Sequence, residues 1–239
     1  GHPGVFWTAM EYRYMPPVAR LIEEVHGGSI GQLRMLAIRE HRFPFLPKVG
    51  DWNRFNRNTG GTLVEKCCHF FDLMRLVVRS EPVRVFASGG QDVNHLDERY
   101  EGEQPDILDN AYTIVDFANG TRALLDLCMF AEGTRNMEEV AATGDTGKIE
   151  CLLPDCEVRI GRRQPREIET IHVPVEERLE KAGSHHGSTY YQHLGFLRSI
   201  REGSPPEVSA EDGLHAVAMG LAAQLSIAEG RPVGMEELR

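Results

Sequence analysis

The dipeptide Asn119-Gly120 separates two β-prone runs, at 111–117 and 122–130. This is the strongest local signal for a β-hairpin, because a type I′ turn needs positive φ at both central positions. The hairpin lies within a series of strand-like segments that follows helical segments and precedes others. This order predicts an α+β fold with an open, mainly antiparallel sheet and helices packed on one face. The predicted strands are 33–43, 83–89, 111–117, 122–130, 138–143, 148–153, 158–161 and 167–173.

Apolar residues recur at helical spacing in four segments, 16–26, 62–79, 190–201 and 210–229. Pro16 and Pro17 stand where a first helical turn tolerates proline, and Thr62 is placed to cap the second helix. The segment 5–10 is instead a continuous apolar, β-prone run, which is typical of a strand buried on both faces of a parallel sheet. We therefore expect residues 1–15 to be the remnant of another domain and residues 16–239 to form one domain.

The charge balance excludes several classes of partner. With 26 basic and 36 acidic residues, the net charge is −10, and no basic patch is evident for nucleic acid or an anionic membrane. No apolar run approaches the roughly 20 residues of a membrane helix, and the N-terminus does not read as an export signal. The five cysteines form no CxxC pair, which favours reduced thiols in the cytoplasm. A small polar ligand is the expected partner.

The segment from Gly60 to Asp72 concentrates the chemistry of the chain. On a regular helix, spacings of four and three residues place Glu65, His69 and Asp72 on one stripe. A structural interpretation has Thr62 and Glu65 as a capping box and His69 as a buried histidine whose hydrogen bonds are satisfied. In that interpretation Asp72 pairs with a nearby arginine, either of the two at positions 75 and 79.

Two functional interpretations of the same segment remain open. His69 suits a general acid or base whose protonated form is favoured by a carboxylate one turn away. Glu65 and His69 could instead share a metal ion, but no third ligand is evident and the HExxH motif is absent. We therefore expect no metal site.

Taken together, the motifs resemble the C-terminal domain of the glucose-fructose oxidoreductase and inositol dehydrogenase family (Gfo/Idh/MocA). In that family a glycine pair is followed by an acidic residue, a histidine four positions on, and an aspartate three further. The resemblance spans nearly the whole chain. The matching segments are Arg13-Tyr14-Met15-Pro16, Gly28-Ser29-Ile30-Gly31, Trp52, Gly60-Gly61 with Glu65, His69 and Asp72, Gly144-Asp145-Thr146-Gly147, and Ser209-Ala210-Glu211-Asp212-Gly213.

The resemblance implies NAD(P)-dependent oxidation of a sugar, cyclitol or related polyol. It makes His69 the catalytic base and Glu65 the residue that orients it. The implied walls of the substrate pocket are Trp52, Arg13, Tyr191 and His186.

The family's dinucleotide-binding domain, with its G-x-G-x-x-G turn, is not represented in this sequence. Residues 1–15 then read as the last Rossmann strand and crossover, and residues 16–239 as the substrate-binding and oligomerisation domain. NAD or NADP is expected in the intact enzyme only, and this chain alone is expected to be inactive. The alternative is a non-catalytic sugar-binding or scaffold protein.

Association between copies is expected from the sheet. Helices on one face leave the other face open, and the hairpin strands carry apolar residues that suit a two-fold contact. The family resemblance also implies association through this face. We therefore predict a homodimer or homotetramer and expect Leu125 to face outward from the hairpin.

Overall fold

One mixed sheet organises the protein, whose computed structural model describes residues 4–180 and 185–238. Its nine described strands lie in the order β8-β7-β6-β5-β1-β4-β3-β2-β9 once they are numbered along the chain. They are β1 Leu33–His41, β2 Pro82–Gly90, β3 Asn110–Phe117, β4 Arg122–Cys128, β5 Glu138–Gly144, β6 Gly147–Leu153, β7 Glu157–Arg162, β8 Glu167–His172 and β9 Val233–Gly234.

The central strand β1 differs from the others in its pairing. It runs parallel to β4 and antiparallel to β5, whereas every other described pair is antiparallel. A parallel pair needs a long crossover connection, and here the chain between β1 and β4 includes helices as well as β2 and β3. This crossover brings helical segments back over the centre of the sheet.

Helices cover one face of that sheet. The described helices are α1 Pro16–His26, α2 Asn56–Thr59, α3 Thr62–Glu65, α4 Cys68–Val78, α5 Glu177–Glu180, α6 Ser188–Glu202 and α7 Ala210–Glu229. Helix α1 packs on β6 and β7, α4 on β1, and α7 on β2. The predicted α+β fold with an open, mainly antiparallel sheet is therefore confirmed. None of the described helices is both long and apolar enough to cross a membrane.

The strand predicted at 5–10 is not formed. This segment has no regular secondary structure, and Thr8 instead bonds the chain before α7: its amide donates to the carbonyl of Val208 at 3.1 Å. The Thr8 hydroxyl donates to the carbonyl of Ser209 at 2.8 Å. A strand exists only where a neighbouring strand supplies its hydrogen bonds, and no described strand lies beside this segment.

The single helix predicted at 62–79 is divided into α3 and α4. The amide of Cys67 bonds the carbonyl of Thr62 at 3.3 Å, five residues back, and so opens a wide turn between the two helices. Thr62 does not cap the helix, because its hydroxyl donates instead to the carbonyl of Leu108. This turn contains one residue more than a regular helical turn, and one added residue rotates all following side chains by about 100° around the helix axis. The stripe expected from regular spacing is therefore broken at this turn.

On the hairpin strands, the residues that face the helices and those that lie on the open face differ from the expected ones. Leu125 is fully buried and faces the helices, so the prediction that it points outward was wrong. The open face instead presents an apolar patch formed by Phe86, Tyr112, Ile114 and Leu124, which are neighbours in the β2, β3 and β4 register. The predicted alternation along the strand was out of step by one residue, and such a shift moves every side chain to the opposite face of the sheet.

Candidate active site

The glycine pair Gly60-Gly61 shapes the entry to the site. Both residues have positive φ, 78° and 90°. Gly61 needs glycine for its conformation, and a Cβ there would also displace the ends of the Gln224 and Asn56 side chains. The tight turn at Gly60-Gly61 allows α3 to begin directly against α7. At this contact the Leu63 carbonyl lies close to Gly220, which has no side chain in the way.

The wide turn after α3 directs Lys66 into the interior. Its side chain is only 8% exposed, and its Nζ lies 3.1 Å from Oε1 of Glu40. The same Nζ donates a hydrogen bond to the Tyr12 hydroxyl. Arg42 contributes a second cation, with Nη1 at 3.2 Å from the same Glu40 oxygen. A buried ammonium is tolerated only with such partners.

A second carboxylate lies beside this ion pair. Glu40 on β1 and Glu138 on β5 are direct cross-strand partners, and both side chains are buried. Burial raises the pKa of Glu138 above its ordinary value, and the neighbouring Glu40 carboxylate raises it further. Lys66 and Arg42 act in the opposite direction by favouring the ionised form. Burial and the Glu40 carboxylate outweigh the two cations, so the pKa of Glu138 is raised to about 7.

His69, the predicted base, lies on α4 against this network. Its ring stacks on Tyr12 with centroids 4.7 Å apart and an interplanar angle of 13°. Nδ1 is buried, has no hydrogen-bond partner among the described residues, and lies 3.7 Å from Oε2 of Glu11. Burial lowers the pKa of His69 to about 3, helped by the Lys66 ammonium and by His185. At neutral pH the ring is therefore uncharged, and one of its nitrogens can accept a hydrogen bond from a hydroxyl group.

A second histidine closes the same corner. The ring of His185 lies 4.7 Å from the Tyr12 ring, and its Nδ1 is 3.9 Å from Oε1 of Glu138. Burial lowers the pKa of His185 to about 4, and the nearby Lys66 and Arg42 cations add to this effect. Tyr12 is thus enclosed by two neutral imidazoles and one ammonium.

Glu65 occupies a different position from the one that spacing predicts. Its Oε1 accepts from Nζ of Lys48 at 2.6 Å, and no described contact joins it to His69. The same Lys48 ammonium lies 4.9 Å from the centre of the Trp52 ring. Trp52, at 41% exposure, therefore stands with Glu65 and Lys48 at the rim of the site. Its accessible indole face fits the predicted wall, and that role remains a prediction.

Arg13 is held by structural contacts. Its Nε donates to Oδ2 of Asp72 at 2.9 Å and Nη1 to the carbonyl of Glu207 at 3.0 Å, while Nη2 donates to the other Asp72 oxygen. The partner expected for Asp72 was an arginine of its own helix, Arg75 or Arg79. The structure instead pairs it across elements with Arg13.

Tyr191 and His186 are placed apart from the contacts of His69. Tyr191 lines a separate cleft of about 520 Å³ between α1, α6 and the end of β8, together with Tyr14 and Arg198. His186 has Nδ1 at 3.5 Å from Sγ of Cys156. The structure therefore brings together His69 and its neighbours, with Trp52 and Glu65 at the rim, whereas Tyr191 lies in the separate cleft and His186, which follows His185 directly, has its ring beside Cys156. Their substrate roles stay predictions.

Sequence reasoning missed most of the buried partners of His69. Two carried a readable signal: Glu40 follows Leu36 and Ile38 at the inward positions of β1, and Glu138 precedes Val140 at the inward positions of β5. A carboxylate on the core-facing side of a strand needs a partner. Lys66, between apolar helical positions, gave a weaker signal of the same kind. The missed residues are Glu11, Tyr12, Glu40, Lys66 and Glu138.

The described residues offer neither a metal site nor a cradle for a dinucleotide. Within residues 4–180 and 185–238, no cluster of three or more His, Cys, Asp or Glu side chains could hold a metal ion. A nicotinamide dinucleotide needs a glycine-rich turn between a parallel strand and a helix N-terminus. The described strands and helices present no such unit, so these residues do not fit the pyrophosphate.

Comparison with known proteins agrees with the fold. In sequence, the chain is 28% identical to myo-inositol 2-dehydrogenase of Thermotoga maritima over an alignment of 242 positions that covers 98% of this chain and 65% of that protein. It is 26% identical to inositol 2-dehydrogenase of Rhizobium meliloti, covering 93% of this chain and 63% of that protein. The chain thus spans less than two thirds of the length of these curated relatives.

Solved structures share the architecture. Levoglucosan dehydrogenase, in complex with NADH and levoglucosan, superposes with a TM-score of 0.80 at 20% identity over 97% of this chain and 66% of that one. An oxidoreductase domain protein from Kribbella flavida gives a TM-score of 0.79 at 20% identity over 95% of this chain and 64% of that one. The family model described as oxidoreductase family, C-terminal alpha/beta domain matches residues 22–235. The chain therefore belongs to the Gfo/Idh/MocA oxidoreductases and carries their C-terminal alpha/beta domain.

Proposed function

We propose that this chain is the substrate-binding part of an NAD(P)-dependent dehydrogenase that oxidises a carbinol of a sugar, cyclitol or related polyol. The observation that carries the proposal is the state of His69. It is neutral at physiological pH, stacked on Tyr12, and has a ring nitrogen without a hydrogen-bond partner among the described residues. The chain belongs to an oxidoreductase family, and a histidine in this state can serve such an enzyme as a general base.

The chemistry asks for a proton acceptor. Oxidation of a carbinol removes a hydride from carbon and a proton from oxygen, and the proton needs a base within hydrogen-bond reach. A neutral imidazole accepts that proton directly, whereas a histidine already protonated could not. His69 is the catalytic base in this proposal, and Glu65, paired with Lys48 at the rim, offers a hydrogen-bond acceptor to a hydroxyl-rich ligand.

The substrate class follows from the relatives and from the site. The names of two curated relatives specify inositol, and one structural neighbour holds levoglucosan. The site combines an exposed indole, Trp52, with the charged pair Lys48 and Glu65. An apolar platform next to hydrogen-bonding groups suits a polyhydroxylated ring.

We assign NAD or NADP to the complete protein and not to the described residues, which offer no cradle for the pyrophosphate. The described residues supply the proton-accepting side of the reaction. We expect the 239-residue chain alone to show no turnover and no useful affinity for either dinucleotide. Association as a dimer or tetramer through the open sheet face is part of the same proposal.

The decisive experiment replaces His69. The complete reading frame that encodes this chain is assayed for dinucleotide reduction with inositol, levoglucosan and related polyols. His69→Ala should lower turnover by roughly 10²- to 10⁴-fold, the range for losing a positioned acid-base group. His215→Ala on α7, a histidine paired with surface glutamates, is the matched control and should stay near wild type. Near-normal turnover of His69→Ala would contradict the proposal.

A further inference from the structure

We propose that Glu11, and not Glu65, is the positioning residue that orients His69. Its carboxylate faces Nδ1 of the ring, keeps a proton on that nitrogen and so leaves Nε2 to accept the proton of the substrate. This inference rests on the proposed role of His69 as the base.

The first observation is the direction of the unpartnered nitrogen. Nδ1 of His69 has no hydrogen-bond partner among the described residues, and Oε2 of Glu11 lies 3.7 Å away. Both side chains are about four-fifths buried, at 19% and 20% exposure. The gap is slightly longer than a hydrogen bond, as is common for catalytic pairs without substrate, and a small side-chain rotation closes it.

The second observation is the turn that carries Glu11. Residues Glu11–Tyr14 form a 3₁₀ turn, and three successive side chains of it contact α4. Glu11 faces His69, Tyr12 stacks on the His69 ring, and Arg13 binds Asp72 one turn further along the helix. One rigid element therefore supplies both the ring support and the carboxylate, which is the arrangement that fixes a tautomer and a ring orientation.

The third observation is that Glu65 is engaged elsewhere. The wide turn between α3 and α4 breaks the four-residue stripe, and the Glu65 carboxylate pairs with Lys48 at 2.6 Å. Its position on the sequence is that of the family's acidic residue, but its side chain makes no described contact with His69.

The electrostatics of Glu11 suit the role. Burial raises the pKa of Glu11, while its own backbone amide and the Lys66 ammonium favour the ionised form. When His69 accepts the substrate proton, the ring becomes a cation, and a carboxylate at Nδ1 stabilises that cation without itself needing to be protonated. Of the other titratable neighbours of the ring among the described residues, Tyr12 stacks on it and has a pKa raised by burial, while Lys66 and His185 oppose the cation.

The test is the tautomer of His69, read from the ring nitrogens of this chain by long-range ¹H–¹⁵N correlation NMR at neutral pH. The His69 signals are assigned by their disappearance in His69→Gln. In the wild type and in Glu65→Gln we expect the proton on Nδ1. In Glu11→Gln we expect that preference to be lost, with both ring ¹⁵N shifts moving toward exchange-averaged values.

Folding is verified for each variant by its thermal unfolding, and Glu11→Asp provides a second variant. Aspartate keeps the charge but withdraws it by one methylene, so we expect a partial loss of the Nδ1–H preference. The inference is overturned if the wild type carries its proton on Nε2, if Glu65→Gln alone changes the tautomer, or if none of the substitutions does. The readout needs no turnover, so the inference can fail while the loss of activity in His69→Ala still supports the proposed function.

Discussion

Two regions of the molecule contain the same kinds of charged side chains in opposite surroundings. The first region, the site corner around His69, has a central ion pair that is almost wholly buried: the side chains of Lys66 and Glu40 are 8% and 1% exposed. The site corner consists of Glu11, Tyr12, Glu40, Lys66, His69, Glu138 and His185. On the open sheet face, Lys148 and Glu150 form a pair at 2.6 Å with 48% and 41% exposure. The exposed pair has the shorter distance, yet we expect the buried pair to have the larger effect on stability and on the pKa values of its neighbours.

The reason is the dielectric environment. Water screens an exposed ion pair so well that its net contribution to stability is about 0 to 1 kcal/mol. A buried charge that loses its partner keeps its desolvation cost, so breaking such a pair costs about 3 to 5 kcal/mol. The same surroundings lower the pKa values of His69 and His185, to about 3 and about 4. Burial, and not the number of charges, therefore marks the corner where proton transfer can be tuned.

The contrast between the two regions is tested most strongly by removing one lysine from each. Lys66→Met keeps the length of the side chain but leaves Glu40 and Glu138 facing only Arg42. We expect the free energy of unfolding to fall by about 3 to 5 kcal/mol, as for other broken buried pairs. Urea unfolding of the chain, followed by far-ultraviolet circular dichroism, measures the change.

Lys148→Met is the matched control on the open face. It removes the same group from a pair of shorter distance, and the expected loss is below about 1 kcal/mol. Equal losses in the two variants would show that the corner around Lys66 is solvated, and the contrast between the regions would be lost.

A smaller effect is expected from a charge placed in the apolar patch of the open face. Ile114 is 45% exposed and lies between Phe86 and Leu124 in the sheet register. If two copies associate here by a two-fold axis, Ile114→Asp places like charges near one another. We expect at least a tenfold weaker association, which corresponds to about 1.4 kcal/mol. Light scattering after size-exclusion chromatography over a concentration series measures it.

The matched control for that experiment is Leu214→Asp. Leu214 lies on α7, on the helical side of the sheet, and is 67% exposed. It should leave the association unchanged. A monomeric wild type, or equal weakening by both substitutions, would contradict association through the open face.

The sequence predicted the elements whose signals are local. Helix α1 at 16–26 and helix α7 at 210–229 have the predicted bounds, since proline, glycine and apolar spacing mark both ends. The hairpin around Asn119-Gly120 and the strands after it also follow from local pattern. The type I′ turn expected there was wrong, because Gly120 has positive φ and Asn119 does not. His69 could be selected as a candidate for the same reason: a histidine on an apolar helix after a glycine pair is visible without any tertiary contact.

What the sequence could not predict depends on contacts distant along the chain. The run 5–10 has strand composition, but only a neighbouring strand makes it a strand. The wide turn at Lys66 and Cys67 interrupts apolar spacing that reads as continuous, and it moves Glu65 away from His69. The partners of His69 come from a turn at Glu11, from two strands, and from the loop at His185, and no local rule brings these segments together.

The most direct test of the account is the titration of His69 itself, followed by its ring nitrogen shifts in the folded chain. We expect the ring to stay neutral from pH 7.5 down to about pH 5, because burial, Lys66 and His185 lower its pKa to about 3. This pKa is below the ordinary value, so the stability that the neutral ring contributes is present above about pH 6.5 and is lost on acidification. A midpoint between about pH 6 and 7 would show a solvated histidine and would contradict the burial of this ring against Lys66 and His185.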